Sequence, residues 1–126
     1  MAIKDDLNKF PVKRPETRVV VNLGKPGGTD LDNLGFIDYT TNSPYMAIII
    51  AYQMGARKIG MIGVDFTQDH FFGKTGTHQI MREIDLILDQ YSNLGKALTE
   101  KGIRIANLSQ SSLIKSWPAM TLEQFE

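Results

Sequence analysis

The sequence predicts a small three-layer α/β unit with a mostly parallel sheet of about three strands and two main helices. The runs at 18–24, 58–64 and 103–108 read as strands, the first of them β-branched with the profile of a strand buried on both faces. Helical patterns at 44–54 and 79–101 fall between them. Strands alternating with helices argue for parallel pairing with right-handed crossovers. All 126 residues read as one domain: an arm or link over 1–17, a core over 18–118 and a tail over 119–126.

Residues 1–17 mix charges with Pro11 and Pro15 and keep no period, so they read as an extended arm or a short helix followed by a link. "RVVVNLG", 18–24, is the first strand, closed by glycine. "KPGGTDLDNLGFIDY" follows, rich in Gly and Asp and without a helical pattern. It reads as a long loop, a feature often functional in a compact domain. Ser43 as N-cap and Pro44 as first helical residue open the next helix. That helix is apolar on nearly every side, as expected of one packed under other elements, and Gly55 stops it.

"KIGMIGV", 58–64, is the second strand and "DFTQDHFFGKTGTH" a polar loop. Over 79–101, Ile80, Ile84, Ile87, Tyr91, Leu94 and Leu98 follow at steps of four and three, which lays one apolar stripe along a helix. Gly102 is placed as its C′ stop before the third strand, "IRIANL". The tail "SWPAMTLEQFE" reads as a loop and a last helical turn. Three strands make a thin sheet, and its open edge calls for a cover, either a second copy of the chain or a partner chain.

Lys plus Arg and Asp plus Glu both number 14, so no global field draws nucleic acid or an anionic membrane. The absence of cysteine removes disulfides, thiolate nucleophiles and Cys-based zinc sites. No apolar run spans a bilayer, and "MAIKDDLNKF" lacks the hydrophobic segment of a secretory signal, so the expected location is cytoplasmic.

Open parallel sheets bind ligands beyond the carboxyl ends of their strands. That rule gathers Asn22 and Gly24, then Thr41, Asn42 and Ser43, then Asp65, then Asn107, Ser109, Ser111 and Ser112. Neutral hydrogen-bonding groups with one carboxylate suit a ribose, a base or a sugar; ordinary loop polarity is the competing explanation. Asp65 ends an apolar strand and must be solvated, paired or used. His70 and His78 lie in the following loop, where either could act as a general base oriented by Asp65 or Asp69, or could be a surface residue. The same four side chains match no compact metal-ligand spacing, and neither a metal nor a cofactor is expected. "GKPGG", 24–28, and "GKTGT", 73–77, lack the spacing and flanking elements of phosphate loops and read as turns.

"TTNSPYMAIIIAYQMGARKIGMIGVDF" resembles the segment of bacterial sialyltransferases in which a Thr-Ser-Gly turn opens a helix, a glycine ends it, and a strand closes in Gly-Ile/Val-Asp-Phe. The layout is similar to that of the related Rossmann-like 6-hydroxymethylpterin diphosphokinase-like proteins and flagellin-modifying motor accessory factors. "IRIANLSQSSLIKSWP" is similar to the strand that closes those domains, with Gln110 in place of a proline. The resemblance covers about residues 38–118 and implies a glycosyltransferase-like domain that binds a nucleotide or nucleotide sugar and, if active, transfers a sugar. It implies that Thr41, Asn42 and Ser43 contact the nucleotide or donor, that Asp65 is the strand-end acid, and that His78 or His70 is the base. The Gly-Asn-Gly-Pro-Ser loop of those families has no counterpart here, and Thr67, Phe71 and Phe72 stand where sialyltransferases place tyrosines. These departures motivate the alternative of a non-catalytic scaffold or assembly protein.

Overall fold

The structure is a computed structural model that describes residues 2–3, 20–64, 77–109 and 112–126, with backbone alone at 2–3, 20 and 77–82. It is mixed α/β with parallel pairing throughout. The chain packs as two compact units, Met1–Gln53 and Met54–Glu126. The strands expected to share one sheet therefore fall in two ladders, the first within the first unit and the other two within the second.

In the first unit, β2 (Val20–Pro26) pairs with β1 (Ala2–Ile3) on one side and β3 (Phe36–Tyr39) on the other. β3 lies inside the segment expected to be loop. It escapes sequence patterning because it is four residues long and carries a buried aspartate, Asp38, in an apolar run. The register steps from Leu23↔Ile37 to Pro26↔Tyr39, so β2 carries an extra residue there, as at a β-bulge. Parallel neighbours usually need a connection of a dozen or more residues, often a helix. Here residues 27–35 suffice, because Leu31 anchors the loop in the core.

Helix α1 (Ser43–Gln53) follows, starting one residue before the expected helix and burying Tyr45, Ile48 and Ile49. Its last turn pins the β2–β3 loop. The two N–H groups of the Gln53 amide are shared among the carbonyls of Leu31, Asn33 and Phe36 at 3.0–3.3 Å, and Tyr52 Oη donates to Asp32 Oδ1 at 2.8 Å. Gly55 follows with φ of 104°, the left-handed conformation that fits glycine as a stop.

In the second unit, β4 (Lys58–Met61) and β5 (Arg104–Asn107) pair in register, with the 24-residue α2 (Thr77–Glu100) in the connection. Of the expected stripe, Ile87, Tyr91, Leu94 and Leu98 are buried and Ile84 is half-buried, while the side chain of Ile80 lies outside those described. A Schellman motif ends α2, with Ile103 N–H donating to Leu98 O and Gly102 N–H to Thr99 O. Trp117 packs against this helix, its Nε1 donating to Tyr91 O at 3.0 Å. The tail closes in α3 (Leu122–Phe125), whose Thr121–Gln124 capping box satisfies its first turn. Among the described residues no helix is long and apolar enough to cross a membrane.

Candidate functional site

The carboxyl ends of the strands form one polar edge in each unit. In the second unit that edge holds Asn107, Ser109 and Ser112, and it uses them to build itself. Ser109 Oγ accepts from Gly63 N–H at 2.8 Å, so it ties the segment after β4 to the segment after β5. Asn107 Oδ1 accepts from Ser109 N–H, and its Nδ2 donates to Ile114 O. Ser112 Oγ donates to Val64 O and accepts from Ile114 N–H. Asn107 and Ser112 are each only 2 % exposed. Burial on this scale requires partners, and the backbone supplies them. Asn107 also lines a cavity of about 220 Å³ with Ala119, Met120, Thr121 and Gln124.

Asp65, His70 and Ser111 lie outside the described residues. His78 falls in the first turn of α2, and nothing further is described of its side chain. Among the described residues no group of three or more His, Asp or Glu side chains is placed to hold a metal ion.

In the first unit, β3 ends at Tyr39 and residues 40–42 lead into α1. Thr40 is buried and folds the turn: its Oγ1 accepts from Asn42 N–H at 2.9 Å. Asn42 O accepts from Tyr45 N–H, which starts the helix. Thr41 and Ser43 are exposed on either side of the half-buried Asn42. Asn22 sits elsewhere. Because β2 runs on to Pro26, Asn22 pairs with Phe36 at the start of β3 and its amide donates to Gly35 O, away from the carboxyl edge.

Sequence reasoning missed Asp38. Its Oδ1 accepts from Lys25 N–H at 2.6 Å and its Oδ2 from Asp30 N–H at 2.8 Å, so one carboxylate ties the end of β2 to the loop that follows it. A Cβ on Gly24 or Gly28 would lie 2.3 Å from one of these oxygens, which is why "GKPGG" needs glycine at both positions. Tyr45 completes the assembly, its hydroxyl donating to Gly28 O at 2.7 Å. Burial, helped by the Asp38 charge, pushes the Tyr45 hydroxyl up to about 12, so it is a neutral donor at any physiological pH. The legible signal was an acid interrupting "FIDY" beside a glycine-rich loop.

No protein-family model matches this chain, and no curated protein or solved structure does.

Proposed function

We propose that this chain is a glycosyltransferase-like domain that binds a nucleotide or nucleotide sugar at the carboxyl edge of the β2–β3 ladder, where Thr41, Asn42 and Ser43 open α1. The observation that carries this reading is the exposure of Thr41 and Ser43 at the start of an eleven-residue helix with no acidic residue in its first turn. The helix dipole favours a phosphate at such a terminus. The hydroxyls beside it suit a sugar or ribose. The class of ligand rests on the sequence resemblance. The roles of Asp65 as the strand-end acid and of His78 or His70 as the base, if a sugar is transferred, rest on the sequence resemblance alone.

A thermal-shift titration with CMP, UDP, GDP and their sugars tests the reading, because a ligand bound only to the native state raises the melting temperature. The expected outcome is a rise with one nucleotide that Ser43→Ala removes. A wild-type shift in Ser43→Ala would sink the site assignment.

The internal engagement of Asn107, Ser109 and Ser112 favours a second reading, a non-catalytic scaffold that assembles with a partner or a second copy. A strict monomer in a solution mass measurement counts against it.

A further inference from the structure

Two backbone N–H groups of the segment Gly24–Asp30, which ends β2 and begins the loop after it, converge on one negative group. Lys25 N–H and Asp30 N–H point at the two oxygens of one carboxylate, and Gly24 and Gly28 leave the room that carboxylate needs. Gly27, with φ of 65°, turns the loop between them. The anion comes from the chain itself: Asp38, 5 % exposed, on the neighbouring strand β3. Two more N–H groups of the loop are spent internally, Gly27 on Tyr39 O and Gly28 on Lys25 O.

We propose that this segment is a backbone anion site whose resident ligand is the Asp38 carboxylate, and that removing the Asp38 side chain turns it into a site for a small free carboxylate. The glycine loop is thereby closed to phosphate in the native protein, unlike a nucleotide-binding loop of similar composition. The inference goes beyond the nucleotide reading and does not depend on it, since the site is filled whether or not α1 receives a ligand.

The test is chemical rescue in the full chain. Melting temperatures of wild type and Asp38→Ala are measured against sodium formate and sodium acetate, with sodium chloride at matched ionic strength as control. Asp38→Ala is expected to melt lower than wild type and to regain part of the loss, saturably, with formate or acetate but not chloride; wild type does not respond. Equal responses in the two proteins, or no difference between formate and chloride in Asp38→Ala, would overturn the proposal. Should Asp38→Ala fail to fold, Asp38→Asn preserves the volume and removes the charge. Its Lys25 and Asp30 amides are then expected to exchange with solvent together, about tenfold faster or more than in wild type. Exchange unchanged at both amides would refute the assignment as firmly.

Discussion

Lys58 and Arg104 are partners in the β4–β5 register, and both cations stand over the Phe125 ring, 4.8 and 5.2 Å from its centroid. Like charges directly opposite on a ladder repel. The negative face of the ring offsets that repulsion, and so do the carbonyls each cation reaches: Lys58 Nζ donates to Glu126 O and Arg104 to Gln124 O. Gly60 makes room for the ring, since a Cβ there would lie 3.0 Å from Phe125 Cε2. The tail is thus part of the second unit's packing.

Phe125→Ala removes a buried ring and leaves the two cations unscreened. The expected destabilisation in urea is about 3 kcal/mol. Phe125→Leu keeps most of the burial and loses the cation–π attraction, so about 1 kcal/mol is expected, shrinking as salt screens the Lys58–Arg104 repulsion.

Gly95→Ala tests packing against helix propensity. Alanine favours the α2 interior by about 1 kcal/mol. Its Cβ, however, would lie 2.9 Å from Trp117 Nε1 and 3.3 Å from Ile105 Cδ1, which obstructs the indole's bond to Tyr91 O. Overpacking costs about 1–3 kcal/mol and a lost buried hydrogen bond adds to it, so net destabilisation is expected. Trp117 is the chain's one tryptophan, and its emission should shift to the red in the variant.

Ser112→Ala leaves both Ile114 N–H and Val64 O without the hydroxyl that serves them. A loss of about 1–3 kcal/mol is expected by chemical denaturation. A neutral result would mean that the hydroxyl is not structural and would return Ser112 to the list of ligand contacts.

Tyr45 sets an alkaline limit on stability. Its hydroxyl is raised from 10.0 to about 12 in the folded protein, so between those values the native state keeps a proton that the unfolded chain has released. The contribution is fully present below pH 10 and is lost as pH rises toward 12. Wild type is expected to lose stability more steeply than Tyr45→Phe across that window. Parallel curves would contradict the burial assigned to Tyr45. At neutral pH the same variant should be less stable by about 1 kcal/mol, for the bond to Gly28 O.

Elements whose cause is local were legible in the sequence. The α2 stripe, its Gly102 stop, the apolar α1 and the Gly55 stop depend on periodicity and backbone conformation within a few residues. Strand partnership was not legible, because which of three similar apolar runs pair is decided between distant residues. The roles of Asn107 and Ser112 escaped for the same reason. Ser112 bonds Val64, 48 residues earlier, and a serine in a loop looks alike whether it faces a ligand or a distant carbonyl. Asp38 and its glycines form a single device split between two separate stretches of chain, so the glycines read as a turn and the acid as loop polarity.

The most direct test of the proposed function is the nucleotide titration of the wild-type protein beside Ser43→Ala. A saturable rise in melting temperature with CMP, UDP or GDP, abolished in Ser43→Ala while that variant keeps its own unliganded stability, is the result expected of a donor site at the start of α1. No rise with any nucleotide or nucleotide sugar, or an identical rise in both proteins, would contradict it.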